Sequence, residues 1–107
     1  MIKLVYCVSR RRGMTLEEFS RYWRVVHGPI GRRIPGLRRL VQSHRVPHPW
    51  DIPASLFDGV AELWFDDMAA LEAARRSSEW KASTEDEANF IDSTRTALLL
   101  TEEHEIP

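Results

Sequence analysis

Cysteine is almost missing: Cys7 is the only one in 107 residues. A lone thiol excludes an internal disulfide, a CxxC redox pair and a multi-thiolate zinc site. Glycine is sparse too, and its five copies never cluster into the loop that cradles a nucleotide phosphate. The four histidines, His27, His44, His48 and His104, have neither HExxH nor zinc-finger spacing, so no metal is expected. No apolar run approaches the roughly 20 residues needed to cross a bilayer. The opening Met1-Ile2-Lys3 lacks a signal-peptide pattern, and a soluble cytoplasmic protein with no membrane partner is the expectation.

What is present is enough apolar mass for a core. Hydrophobic residues make up 43% and charged residues 29%, too apolar for disorder and too polar for a membrane protein. The length suits a single domain over 1–107. The net charge of −1 hides a segregation. Residues 1–45 hold 11 Lys+Arg against Glu17 and Glu18, a net of +9, and the remainder holds 4 against 14, a net of −10. No helix-turn-helix, zinc or RNP-like pattern accompanies the arginine clusters, so nucleic acid is not expected. The two segments instead suit each other, within one fold or across a subunit interface.

The order of elements reads β-α-β-β-α-β. Ile2 to Val8 is a compact apolar run suited to a buried strand. Thr15 and Glu18 have capping-box spacing at a helix start, and Leu16, Phe19, Trp23 and Val26 form its apolar stripe. Gly28-Pro29 is expected to close that helix. After a Pro35-Gly36 turn, Leu37 to Val46 reads as a strand with Leu40, Gln42, His44 and Val46 on one face. The proline-rich stretch from Pro47 to Pro53 cannot be a strand, and its length marks it as a candidate lid carrying Trp50. Phe57 to Phe65 is the third strand, Asp66 a candidate cap for a helix with Met68, Leu71 and Ala74, and Ser77 or Ser78 a restart around Trp80. Thr84 and Glu87 repeat the capping-box spacing, and Thr94 to Thr101 is the fourth strand.

In such a unit both crossover helices lie on one face of a four-stranded antiparallel sheet. Yet the first, third and fourth strands are apolar on both faces, for example Leu4 and Tyr6 against Val5 and Cys7. A monomer would leave one apolar face in water, at roughly 25 cal/mol per Å². A second copy of the chain would cover it, and two facing sheets could enclose a cavity for a small organic ligand.

The segments Gly13-Met14-Thr15 through Phe19, Tyr22-Trp23, His27-Gly28-Pro29, Ile34-Pro35-Gly36-Leu37, Asp58 through Phe65, and Asp86-Glu87 with Phe90 resemble, in register, the EthD family, named for an ethyl tert-butyl ether degradation protein. The resemblance implies an α+β, ferredoxin-like βαββαβ fold that dimerises into an α+β barrel. Similar barrels include muconolactone isomerases, polyketide cyclases, cofactor-free monooxygenases and haem-binding enzymes, so the fold does not name a reaction.

His27, His44 and Glu62 are the acid–base candidates. At a helix C-terminus, His27 would have a protonated ring favoured by the dipole and could act on an enolisable carbonyl or a phenol, or simply cap the last carbonyls. His44 and Gln42 share a strand face and would orient a ligand in an inter-sheet pocket. Glu62, in an apolar strand, needs an ion partner such as Arg39 or Arg45, or its pKa rises into the range of a general acid. Tyr6, Trp23, Trp50 and Trp64 complete the expected substrate-binding set, each with packing as the plainer reading. No cofactor is expected; a haem would need an axial ligand such as His44 facing a large cavity. The readings that follow are a cofactor-independent enzyme driving cyclisation, isomerisation or elimination by proton transfer, a cofactor-free monooxygenase of phenols, or a non-catalytic binding protein.

Overall fold

The computed structural model describes residues 1–47 and 57–107. The elements run β1 (Ile2–Val8), α1 (Leu16–Tyr22), a π-helical turn (Trp23–His27), α2 (Gly28–Gly31), β2 (Arg39–His44), β3 (Gly59–Phe65), α3 (Met68–Arg75), α4 (Ser78–Asp86), a 3-10 turn (Glu87–Asn89) and β4 (Ala97–Thr101). The strands form one antiparallel sheet in the order β2-β3-β1-β4. This is the ferredoxin-like α+β arrangement that the sequence led us to expect. The candidate lid and Trp50 fall on 48–56, outside the described residues apart from Pro47.

Strand alternation sorts the sheet's side chains cleanly. Leu4, Val8, Ala61, Leu63 and Phe65 point to the helices and join Phe19, Trp23, Ile34, Leu71 and Phe90 in the core. Phe19, Phe65, Phe90 and Val8 are fully buried, each contributing about 1.5–3 kcal/mol of transfer free energy. Gly59 is required by a close approach: a Cβ there would lie 2.4 Å from the Trp23 ring. Only glycine lets that indole settle over the end of β3, tilted against His44 at 4.4 Å between ring centroids. Gly36, with φ +79°, makes the turn after Pro35.

The first helix departs from expectation. Its start is the expected capping box, with Glu18 N–H donating to Thr15 Oγ1 at 3.0 Å and Thr15 N–H donating to Glu18 Oε1 at 2.9 Å. It does not end at Gly28-Pro29, because helical backbone continues through a π turn to Gly31. In that turn Gly28 N–H reaches back five residues to the Trp23 carbonyl, and Pro29 enters the first turn of α2, where a missing N–H costs least. The wider turn also shifts the buried stripe. Val26, expected inside, is 42% exposed, and His27 takes the inward place below Trp23.

Other boundaries shift for local reasons. Asp67 rather than Asp66 caps α3, accepting from Ala70 N–H at 2.8 Å, while Asp66 pairs with Arg38 through two bonds of 3.0 and 2.8 Å. Ser77 caps α4. Thr84 and Glu87 form no capping box: α4 runs through Thr84, whose hydroxyl donates to the Trp80 carbonyl. The oppositely charged halves of the chain meet within the fold, as in Lys3–Glu62 at 2.8 Å, Arg45–Asp58 at 3.3 Å and Arg10–Asp58 at 3.6 Å.

Candidate functional site

A cavity of about 230 Å³ lies between the sheet and the helices. An inter-sheet pocket was the expectation; within one chain the space is on the opposite, helix-covered side. Its floor is one cross-strand row, Gln42–Ala61–Tyr6–Leu98, set by the register of the four strands. Trp23, Ile34, Leu63 and Trp80 make the walls largely apolar. The volume falls a little below the ~300–1,000 Å³ of drug-sized ligand sites and suits a small ring compound.

The π turn presents His27 to this cavity. Its Nδ1 lies 2.9 Å from Asp86 Oδ2, and both side chains are nearly buried, at 13% and 11% exposure. Asp86 is itself fixed by Tyr22 Oη at 2.6 Å and by Asn89 Nδ2 at 3.0 Å. Burial pushes the Asp86 carboxyl up, but the bonds from Tyr22, His27 and Asn89 outweigh it and hold it below its ordinary value. Burial also lowers the His27 pKa, and the Asp86 carboxylate only partly reverses that. The ring is therefore neutral near pH 7, with Nδ1–H donating to Asp86 and Nε2 left as an acceptor. The helix-end position expected to favour a charged ring is absent, since the backbone stays helical past His27.

A second polar pair lies at the same cavity. Tyr6 Oη donates to Glu87 Oε1 at 3.0 Å. Burial, then the Glu87 charge, pushes the Tyr6 phenol up to about 12. Burial likewise raises the Glu87 carboxyl, opposed by the Tyr6 bond and assisted by neighbouring Asp86.

The structure brings Tyr6, Trp23, His27 and Gln42 to one cavity. Gln42 holds the π turn in place, its Nε2 donating to the Trp23 carbonyl at 2.9 Å. His44 lies on the same face but beyond the cavity, bonded through Nε2 to Gln42 Oε1 at 2.8 Å and packed on Trp23. Lying outside the cavity lining, it is not placed to offer an axial ligand to a haem there. Burial, with nearby Arg24, lowers its pKa.

Glu62 and Trp64 do not join these residues. The period-two alternation of β3 puts them on the outer face, opposite Ala61 and Leu63. There Glu62 pairs with Lys3 rather than with Arg39 or Arg45, and Trp64 bonds to Glu103 and lies under Arg39 at 4.7 Å. Among the described residues, no group of three or more His, Cys, Asp or Glu could hold a metal ion. Nor is any described helix long and apolar enough to cross a membrane.

Asp86 and Glu87 were missed as site residues. Their adjacency ahead of Phe90 was visible in the sequence, but the cap spacing to Thr84 offered a local reading of Glu87. Their partners, Tyr22, His27 and Tyr6, are 59 to 81 residues away.

Comparison with known proteins agrees with this architecture. The EthD domain family model matches residues 11–94. An EthD family protein from Bacillus halodurans is 30% identical, with a TM-score of 0.80 over 97% of this chain and 99% of that one. SnoaB, a cofactor-independent oxygenase from Streptomyces nogalater, shares the fold at 13% identity and a TM-score of 0.66, covering 98% of this chain and 94% of its own. A dimeric protein of unknown function with a ferredoxin-like fold from Bacteroides fragilis is 16% identical, with a TM-score of 0.64 and 95% of each chain covered. No curated protein matches the chain.

Proposed function

The chain belongs to the EthD family, and from that premise we propose that it is a cofactor-independent enzyme moving a proton on a small, apolar, oxygenated molecule. One observation carries the reading: the His27 imidazole, fixed by Asp86 at 2.9 Å, borders an apolar cavity of about 230 Å³. His27 Nε2 is the general base. Asp86 keeps the ring in the tautomer that leaves Nε2 open and stabilises the imidazolium formed when the proton arrives. Gln42 and the π turn hold the ring's position, and Trp23 and Trp80 supply apolar walls that exclude water.

Cyclisation, isomerisation and elimination all begin with such a proton abstraction. A second reading, a cofactor-free monooxygenase, uses the same base to form a phenolate that reacts with oxygen. The fold shared with SnoaB, a cofactor-independent oxygenase, favours keeping it. The whole chain acts as one domain in a homodimer. The outer row Val41–Glu62–Val5–Leu99, with Leu99 62% exposed, is the apolar surface a second copy would cover.

The test is exchange of the α-protons of 2-tetralone, a neutral cyclic ketone, into D2O, followed by proton NMR. Catalysed exchange should fall about 10²–10⁴-fold in His27→Asn, while binding of the ketone, read from tryptophan fluorescence, persists. Equal exchange in both proteins would sink the base assignment. Oxygen uptake with a hydroxylated naphthalene, without added metal or flavin, would move the reading to the monooxygenase.

A further inference from the structure

The cavity has a second titratable wall, separate from His27 and Asp86. Glu87 follows Asp86 directly, at the change from α4 to the 3-10 turn, and the two carboxyls turn to different partners. Asp86 serves His27; Glu87 meets Tyr6 on the cavity floor at 3.0 Å. Glu87 also borders an outer groove that includes Arg11, Arg12, Asp92 and Ser93. Glu87 thus borders both the cavity, where its Oε1 meets Tyr6, and a solvent-facing groove.

Resting on the reading above, we propose that the Tyr6–Glu87 pair is the acid that complements His27, delivering a proton to the carbonyl oxygen of a neutral ligand and drawing its replacement from the outer groove. When Glu87 is protonated, its O–H donates to the Tyr6 oxygen, which frees the phenol hydrogen to face the ligand. His27 Nε2 removes a proton from the carbon beside the carbonyl; that C–H electron pair becomes the C=C bond, and the carbonyl π pair moves to oxygen. Tyr6 gives that oxygen its proton and takes one from Glu87. The ligand becomes a neutral enol, leaving an imidazolium beside Asp86 and a carboxylate at Glu87. If the enol leaves the cavity, Glu87 takes its replacement proton from the outer groove and His27 gives its proton to water. If instead His27 reprotonates a different carbon while the enol proton returns through Tyr6 to Glu87, an isomerisation is completed with no proton drawn from the groove.

Charge at the cavity supports a neutral ligand. No Lys or Arg lines it among the described residues, so a carboxylate ligand would lose hydration without gaining a cation. The groups around the pair come from every side: Tyr6 from β1, the Thr96 hydroxyl on the Tyr6 oxygen, Asp86 and Thr84 from α4, and Arg11, Arg12 and Asp92 across the groove. Burial raises the Glu87 carboxyl from its ordinary value, the direction an acid requires.

The experiment is the 2-tetralone exchange measured across pH with the full chain. Wild type should show a bell, its acid limb from protonation of His27 and its alkaline limb from ionisation of Glu87. Glu87→Gln should lower the maximum about 10²-fold and remove the alkaline limb. Tyr6→Phe should do the same, and the double variant should be no worse than either single one. If Glu87→Gln is poorly folded by its thermal midpoint, Tyr6→Phe carries the test. An unchanged maximum and alkaline limb in the folded variants, with exchange still lost in His27→Asn, would overturn this proposal alone. No catalysed exchange in wild type, or full exchange in His27→Asn, would overturn the underlying reading and this one with it.

Discussion

The two faces of the sheet are built from the same four strands and do opposite things. On the helix face the row Gln42–Ala61–Tyr6–Leu98 floors a cavity, and the polar groups there are paired: Tyr6 with Glu87, His27 with Asp86 and Gln42 with the Trp23 carbonyl. On the outer face the neighbouring row Val41–Glu62–Val5–Leu99 is apolar at three positions, and its one charge is paired with Lys3. Burial explains the difference. Helices remove the first face from water, so titratable groups there shift in pKa. The outer face stays accessible in one chain, and its charges behave as surface pairs.

The largest contrast should come from deleting apolar bulk on each face. Phe65→Ala opens a void in the fully buried layer and should cost about 3–5 kcal/mol in denaturant unfolding. Leu99→Asp, on the 62% exposed outer position, should leave each subunit folded and convert the proposed dimer to a monomer in sedimentation velocity. Unfolding of Leu99→Asp as severe as that of Phe65→Ala would break the comparison, and an unchanged sedimentation coefficient would remove the outer face as the dimer surface.

Gly59→Ala sharpens the helix side. The new methyl would meet the Trp23 ring at 2.4 Å and the Ser43 carbonyl at 2.9 Å, so the indole must move. We expect about 1–3 kcal/mol of destabilisation and a change in tryptophan fluorescence; a neutral substitution would mean that Trp23 does not need its seat.

A smaller effect separates the faces by pH. The folded pKa of His27 lies below its unfolded value, so the unfolded chain takes up the proton first as pH falls. Stability should therefore be fully present above about pH 6.5 and decline below it, by at most about 1.4 kcal/mol per pH unit, until the folded value is reached. His27→Asn should flatten that part of the curve, whereas Lys3→Met on the outer face should leave its slope unchanged. Equal slopes for wild type and His27→Asn would contradict the burial assigned to the ring.

Much of the frame was legible because it rests on local chemistry. The capping box at Thr15 and Glu18 involves residues three apart, and alternation along β2 grouped Gln42 with His44 on the face where both are found. The π turn was not legible, since helical periodicity assumes a constant turn. That single widened turn moved Val26 outward, turned His27 inward and carried the helix past Gly28-Pro29. Glu62 looked like a site residue because one strand cannot say which of its faces the helices cover. Glu87 looked like the capping-box partner of Thr84, and Asp86 showed no role beyond the family resemblance, because the partners of both lie far away in sequence.

The sequence by itself determined the order of elements, the strand faces, the Thr15–Glu18 capping box and the family resemblance, because each depends on side-chain periodicity or on neighbours within a few residues. Only the tertiary structure decided where the cavity lies, which histidine enters it and which carboxylate His27 and Tyr6 each meet. Those outcomes depend on strand register, on one change of helical pitch and on desolvation by distant elements, quantities that no short stretch of chain contains.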